Sequence, residues 1–238
     1  MAAIMQKLSN YVTQLQRCLN NDLLGVYLYS SLARGCHNPA TSDADIIVVL
    51  RDGFTQPDMD LLYQIGQEVG VPIDALFVTE SKLNDDVCST PIAFLAPPGC
   101  IEQSHKGSIF LLDRQDAYEA GIALIGPSPK DLIRPVPWEA LTSSLDFLFP
   151  YIVPHFKNGV LMLCRITYTW TFHKMCSKRE AGEWALTALS EEWRQTIETA
   201  LAEYADGVYN TGIEEKVCQA FEAYCSNYIS LRRNMPPA

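Results

Sequence analysis

Apolar positions recur along the chain with two kinds of spacing, and each kind predicts a different element. In residues 4–19 apolar side chains return every three or four positions, which predicts an amphipathic first helix of about five turns. Short, nearly continuous apolar runs predict strands near residues 25–30, 44–50 and 73–78. Helical spacing predicts a helix over residues 58–69, between the second and third runs. The first third of the chain therefore favours an α/β arrangement in which the first helix packs on a sheet.

The middle of the chain is less regular. Prolines and a glycine interrupt residues 80–105, so we predict no regular element there. A helix is predicted over residues 107–121. Prolines then crowd a short segment and mark a domain boundary: Pro127, Pro129, Pro135 and Pro137. We place a first domain at residues 1–130 and a second domain at residues 131–238.

The second domain has helical spacing to its end. The pattern predicts helices over residues 138–149, 160–174, 178–189, 191–205 and 213–233. The links between these segments are short, which suits an antiparallel bundle.

Two aspartates open the second predicted strand. Asp43 and Asp45 are two positions apart, and because side chains alternate along a strand, both should project from the same face. Like charges held together cost free energy unless a cation lies between them, and Mg²⁺ binds carboxylate and phosphate oxygens. Ser30 and Ser31, at the end of the preceding strand, offer hydroxyl and amide donors for phosphate. The pattern predicts a metal–nucleotide site, and the alternative is a capped turn followed by a solvated charge.

A third carboxylate lies in the third predicted strand. Asp74 is near the start of an otherwise apolar run. A buried carboxylate without a partner is expensive, so such a residue is usually paired, metal-bound or catalytic. The alternative interpretation is an edge position with the side chain in water.

Composition and charge narrow the possible functions. The chain has 238 residues, of which 48% are hydrophobic and 19% charged, as is typical of a globular protein. Its net charge of −10 weighs against a nucleic-acid partner and suits a small cationic ligand. The eight cysteines are scattered, which argues against a zinc site and favours a reducing compartment. We find no signal-peptide pattern and no run long enough to span a membrane, so we expect a cytoplasmic protein without a membrane partner.

The segment Gly25–Gly35, followed by the strand that Asp43 and Asp45 open, resembles a known signature. It is similar to the Gly-Ser, spacer, Asp-x-Asp pattern of the nucleotidyltransferase superfamily related to DNA polymerase β. Within that superfamily the chain resembles the aminoglycoside adenylyltransferases that modify streptomycin and spectinomycin. One difference is that Ser30 and Ser31 stand where the family has Gly-Ser.

The resemblance implies a fold. It implies an α/β (α+β) nucleotidyltransferase domain with a mixed sheet, followed by an all-α helical-bundle domain. Residues 122–127 resemble the closing strand of the family's sheet and its turn.

The resemblance also implies roles for residues of the first domain. Asp43 and Asp45 would hold Mg²⁺, with ATP as co-substrate. Asp74 matches the acidic residue that acts as catalytic base, although the aminoglycoside enzymes mostly carry glutamate there. The nucleotide phosphates would be positioned by Ser30, Ser31 and Arg34.

Two cations of the helical domain belong to the same resemblance. Arg165 interrupts a strongly apolar predicted helix, and Lys178 starts the next helix thirteen residues later. Their spacing and neighbours resemble an arginine and a lysine that approach the ATP phosphates in the family. A triphosphate needs cations beyond Mg²⁺, and the planar arginine fork suits phosphate oxygens. The alternatives are an arginine paired with an acid and a solvated lysine.

The acceptor is less defined. The family's streptomycin-contacting segment corresponds to residues 146–158, where its pattern of tryptophan and aspartate is not reproduced. A spectinomycin-like acceptor is therefore favoured over streptomycin. Asp146 and His155 are candidates to line the acceptor site, although a structural role is the alternative for His155.

Together these observations predict a Mg²⁺-dependent enzyme that transfers AMP from ATP to a hydroxyl of an aminoglycoside-type small molecule and releases pyrophosphate. Two alternatives stay open. One is a nucleotide-binding pseudoenzyme or regulatory protein, and the other is a nucleotidyltransferase that acts on a different acceptor, such as RNA or protein.

Overall fold

We analysed a computed structural model of the chain. It describes residues 2–39, 42–54, 59–86, 93–96, 99–102, 107–155, 158–208, 212–233 and 235–237. The chain forms two compact units, Met1–Leu141 and Thr142–Ala238. The domain boundary expected after residue 130 stays a prediction.

The first unit contains a sheet and the helices that cover it. Its helices are α1 (Ala2–Leu19), α2 (Ser30–Ala33), α3 (Met59–Glu68), α4 (Glu80–Leu83), α5 (Gly107–Ala120) and α6 (Pro129–Leu132). Its strands are β1 (Leu23–Leu28), β2 (Ala44–Leu50), β3 (Ile73–Thr79), β4 (Ala93–Ala96), β5 (Gly99–Glu102) and β6 (Ile122–Ile125). The predicted helices and strands at the start of this unit all form, with ends shifted by at most two residues.

The sheet is mixed, as the fold class predicted. Its strand order is β5-β4-β3-β2-β1-β6. Among the described strands, β2 and β3 run parallel and the other neighbouring pairs run antiparallel. The parallel register sets Asp45 directly opposite Asp74.

The central strands are apolar because both faces of the sheet are covered. One face carries Ile46, Val48 and Leu50 of β2, and these pack with α1 and α3. The other face carries Ile47 and Val49, which pack with Phe110 of α5. A strand buried on both sides appears in the sequence as a continuous apolar run instead of an alternating one. By the same alternation, Asp45 lies on the α5 face.

The prediction of an irregular segment over residues 80–105 is wrong. Helix α4 lies within it, and β4 and β5 pair as an antiparallel hairpin that extends the sheet from β3. Each of these strands has only four residues, and Pro97 and Pro98 stand between them. The apolar runs were therefore too short to show a period, and the pairing depends on an edge that β3 provides.

The second unit is helical. It comprises α7 (Trp138–Leu148), whose first residues precede the division between the units, α8 (Ile152–His155), α9 (Gly159–Phe172), α10 (Lys178–Ala188), α11 (Arg194–Asp206) and α12 (Glu215–Arg232). The helix predicted over residues 191–205 begins instead as a 3₁₀ turn, Glu191–Trp193. Within the described part of the chain, no helix is both long enough and apolar enough to cross a bilayer.

Candidate functional site

The candidate site of the first unit lies where β2 and β3 begin. Asp45 and Asp74 are register partners on these parallel strands, and both side chains are half-buried. Strand alternation places both on the face that α5 covers. Asp43, one residue before β2, has the same parity and is exposed. The structure therefore brings the three predicted carboxylates to one end of one face.

The electrostatics of this end are strongly negative. Burial raises the pKa of the Asp45 carboxyl well above its usual range, and the charges of Asp74, Asp113 and Asp43 raise it further. A hydrogen bond from the Ser30 hydroxyl opposes that shift. Carboxylates gathered in this way favour a proton or a metal cation between them.

The same acids affect the buried phenol of Tyr29 at the end of β1, whose pKa is raised. Burial is the largest cause of its raised pKa, and the charges of Asp113, Asp45, Asp74 and Asp116 add to it.

Among the described residues, no group of three or more His, Cys, Asp or Glu could hold a metal ion by itself. The site fits a cation that takes one or two carboxylates and completes its shell with water and substrate phosphates, as Mg²⁺ does.

Ser30 and Ser31 are the first two residues of α2, which begins directly after Tyr29 at the end of β1. Ser30 has φ = +58°, a left-handed conformation that favours glycine and costs serine about 1–2 kcal/mol. The Ser31 hydroxyl is buried and has no hydrogen-bond partner among the described residues. A buried hydroxyl of this kind is available to a ligand oxygen, which is consistent with the predicted phosphate contact.

Arg34 lies one turn further on, and carboxylates surround its guanidinium. Its Nε and Nη2 donate to Oδ1 of Asp116 at 2.9 and 2.6 Å, and Nη2 lies 3.6 Å from a carboxylate oxygen of Glu119. The structure gives Arg34 partners from the protein itself. Its contact with nucleotide phosphate stays a prediction.

Helix α5 supplies two acids that the sequence analysis missed. Asp116 accepts the backbone N–H of Ser30 at 2.9 Å as well as the Arg34 bonds, and Asp113 lies one helical turn before it. A signal was present in the sequence. The polar run Asp113–Asp116 interrupts the predicted helix directly after apolar residues, as Arg165 does in α9.

A fully buried arginine fixes α5 in place. Arg114 donates to the backbone carbonyls of Leu83 and Asp85 at 3.2 and 3.3 Å, and it pairs with the carboxylate of Asp86. On the same helix, Gln115 accepts the backbone N–H of Val136 at 2.8 Å. The acids of α5 therefore stand on a helix tied to its surroundings by side-chain hydrogen bonds.

The two predicted cations of the second unit lie on neighbouring helices. Arg165 is half-buried on α9. Lys178 is the first residue of α10, and its ammonium lies 5.9 Å from the centre of the Tyr204 ring. The Ser177 side chain before it accepts the N–H of Glu180, whose carboxylate accepts the N–H of Ser177, so the start of α10 is capped in both directions.

The structure places Asp146 in an ion pair. Its carboxylate receives two hydrogen bonds from Arg233, at 2.7 and 2.9 Å, and the Arg233 guanidinium lies 4.9 Å from the centre of the Trp170 ring. His155 is the last residue of α8, and its side chain lies outside the described residues. The acceptor contacts expected of Asp146 and His155 stay predictions.

Comparison with known proteins agrees with this architecture. A family model, aminoglycoside adenylyltransferase C-terminal domain, matches residues 131–227. The chain is 23% identical to a spectinomycin 9-adenylyltransferase of Campylobacter jejuni, with 84% of each chain covered. It is 26% identical to an aminoglycoside (3'') (9) adenylyltransferase of Klebsiella pneumoniae, with 85% of this chain and 86% of the relative covered.

A solved structure shows the same fold. The spectinomycin adenyltransferase AAD(9) from Enterococcus faecialis, crystallised with ATP and spectinomycin, superimposes with a TM-score of 0.78. The match covers 94% of this chain and 98% of the other, at 17% sequence identity. The chain therefore shares the fold of that structure, with a mixed sheet and its helices followed by a helical part. In sequence the chain is similar to aminoglycoside adenylyltransferases over most of its length, and the family model matches its helical part.

Proposed function

We propose that this protein transfers AMP from Mg²⁺-ATP to a hydroxyl of an aminoglycoside-type acceptor and releases pyrophosphate. The observation that carries the proposal is the register pair of Asp45 and Asp74, which sets two carboxylates on one face at the start of parallel strands. The adenylyltransferase names of the relatives support the same reaction.

Asp43 and Asp45 would hold the Mg²⁺, and Asp74 stands close enough in the register to share it. These carboxylates suit Mg²⁺ on electrostatic grounds. Burial and neighbouring acids make an ionised Asp45 costly until a cation is bound. When bound, Mg²⁺ supplies charge stabilisation at the phosphate oxygens. The Ser30 hydroxyl donates to Asp45 and so helps to orient this ligand.

Asp74 would act as the general base. The acceptor hydroxyl loses its proton to the Asp74 carboxylate while its oxygen forms a bond to the α-phosphorus. The bond between the α-phosphorus and the bridging oxygen breaks, and pyrophosphate leaves with the electron pair. Aspartate is shorter than glutamate by one methylene, so the acceptor hydroxyl must approach β3 more closely.

The phosphates need donors and cations besides the metal. The buried Ser31 hydroxyl is the best placed candidate in the first unit, because it has no partner among the described residues. Arg165 and Lys178 are the proposed cations of the second unit, on the resemblance of their segment to the adenylyltransferases. Arginine suits phosphate because its planar fork donates two parallel hydrogen bonds.

The proposed acceptor is spectinomycin-like. The C. jejuni relative is named for spectinomycin, and the structural neighbour was crystallised with it. The net charge of −10 also favours a cationic small molecule, because an acidic surface concentrates cations.

The test is pyrophosphate release with Mg²⁺-ATP across a panel of aminoglycosides that includes spectinomycin and streptomycin. We expect release with spectinomycin and its loss in Asp45→Asn. Asp60→Asn is the matched control, because it removes the same charge from an exposed position of the same unit. Release that survives Asp45→Asn would contradict the proposed site. Metal-dependent ATP binding without release would favour a nucleotide-binding protein that transfers nothing.

A further inference from the structure

Asp116, a buried acid of α5, accepts a hydrogen bond from Ser30, whose backbone is strained. The Asp116 side chain is 2% exposed, and one of its oxygens accepts both Arg34 contacts. The other oxygen accepts the backbone N–H of Ser30 at 2.9 Å. These bonds join residues that lie 82 and 86 positions apart in the sequence, so they fix α5 against the start of α2.

The N–H that Asp116 holds belongs to a residue in a left-handed conformation. Ser30 has φ = +58°, which non-glycine residues adopt only when the surrounding structure enforces it. The N–H of Tyr29 donates to the backbone carbonyl of Asp45 at 3.0 Å, which sets Ser30 beside Asp45, and a hydrogen bond from the Ser30 hydroxyl lowers the pKa of the Asp45 carboxyl. One side of Ser30 is therefore bound to α5 through its backbone, and its side chain reaches the metal ligand on β2.

We infer that Asp116 is a positioning residue. By accepting the N–H of Ser30 it keeps that serine left-handed, and this conformation directs the serine hydroxyl to Asp45. The inference rests on the proposed function, in which Asp45 holds the metal. It gives the serine at this turn a task that glycine, which has no hydroxyl, cannot perform.

A simpler role is that Asp116 only neutralises Arg34. The two roles differ in their dependence on Ser30. If Asp116 acts through Ser30, its effect on the metal site requires the serine side chain. If it only neutralises Arg34, its effect is the same whichever residue stands at position 30.

A double-mutant cycle separates these roles. The variants are Asp116→Asn, Ser30→Gly and the two combined, and the readout is Mn²⁺ binding by titration calorimetry without nucleotide. Loss of an outer-shell partner costs about 10–100-fold in metal affinity. We expect each single change to weaken Mn²⁺ about tenfold and the combined change to weaken it by the same factor. A combined loss near the product of the single losses, about a hundredfold, would overturn the inference.

Hydrogen exchange of the Ser30 amide tests the contact without metal. We expect this amide to be protected in the wild-type protein and in Arg34→Gln, and to exchange faster in Asp116→Asn. The amides of α10 serve as the internal control, because they belong to the other unit. An unprotected Ser30 amide in the wild-type protein would overturn the inference.

The two arms also separate this inference from the proposed function. If the wild-type protein binds no Mn²⁺, the proposed metal site fails, and hydrogen exchange still decides whether Asp116 holds Ser30. If Asp116→Asn does not fold, Arg34→Gln decides the question. Loss of Ser30 protection in that variant would show that the salt bridge alone maintains the turn, which would overturn the inference.

Discussion

Two acids of the first unit have opposite surroundings. Asp116 on α5 receives hydrogen bonds from Arg34 and from the backbone of Ser30, so its charge is compensated by donors. Asp45 on β2 receives the Ser30 hydroxyl but otherwise faces acids, and its pKa is raised well above the usual range by burial and then by Asp74. The protein thus surrounds one carboxylate with donors and leaves the other facing like charges, which the proposed Mg²⁺ would compensate.

These surroundings distinguish an acid that stabilises the fold from one that is proposed to bind a cation. Both carboxyl groups are at least half-buried, so burial alone does not distinguish them. The groups around each carboxylate make the difference. A buried acid paired with a cation of the protein becomes costly when either partner is removed. Acids that face each other repel, and this cost is relieved when a cation binds between them. Substitutions at the two positions should therefore have opposite signatures.

The largest expected effect is on activity. Asp45→Asn should lower kcat/KM by about 10²–10³-fold, because it removes a carboxylate that would hold Mg²⁺, whose charge stabilisation at the phosphate oxygens is worth several kcal/mol. The same change should leave the melting temperature unchanged or raise it, since it removes a like charge from a crowded end of the sheet. Pyrophosphate release and thermal unfolding in metal-free buffer measure the two quantities. A marked fall in melting temperature would remove the contrast with Asp116.

The next effect is on stability. Asp116→Ala should lower the free energy of unfolding by about 3 kcal/mol, because it leaves the Arg34 guanidinium without its closest partner in a largely buried position. Urea unfolding of the full chain measures the loss. Glu119→Ala is the matched control, because it removes an acid that lies farther from the same guanidinium, at 3.6 Å. Equal losses in both variants would show that the Asp116 contacts are not special.

These two acids also mark the limit of what could be predicted from the sequence. Asp45 could be predicted because the alternation of a strand and the Asp-x-Asp spacing are local properties. Asp116 could not, because its partner at Ser30 lies 86 positions away and depends on how α5 packs on the sheet. The polar run on α5 was visible, but nothing in it specified which side chain contacts Ser30 and Arg34.

The same limit applies to the fold. The helices α9 to α12 were predicted within a few residues, because their apolar spacing repeats over several turns. The hairpin of β4 and β5 was missed, since four-residue strands carry no period and their pairing depends on β3. Local pattern thus defines long elements, whereas short elements depend on contacts between distant segments.

A smaller effect on stability is expected at Ser177, in the helical unit. Ser177 resembles Asp116 in having a complete partner set, because it exchanges hydrogen bonds with Glu180 at 2.8 and 3.1 Å. Ser177→Ala should lower the free energy of unfolding by about 1 kcal/mol, the usual cost of a lost N-cap. Urea unfolding measures the loss. The control is Ser190→Ala, because Ser190 is exposed and its side chain makes no capping hydrogen bond. A loss as small as that of the control would show that the capping box contributes little.

The smallest expected effect on stability is at Ser30, which hydrogen-bonds to both Asp116 and Asp45. Ser30→Gly should raise the free energy of unfolding by about 0.5–1 kcal/mol, because glycine adopts φ = +58° without the penalty that serine carries. The gain is limited because glycine also loses more chain entropy on folding. Activity should fall, since the hydroxyl that donates to Asp45 is removed. A variant that is more stable and less active would show that strain at this turn is retained for the site, whereas a variant with higher turnover would show that the hydroxyl contributes nothing to it.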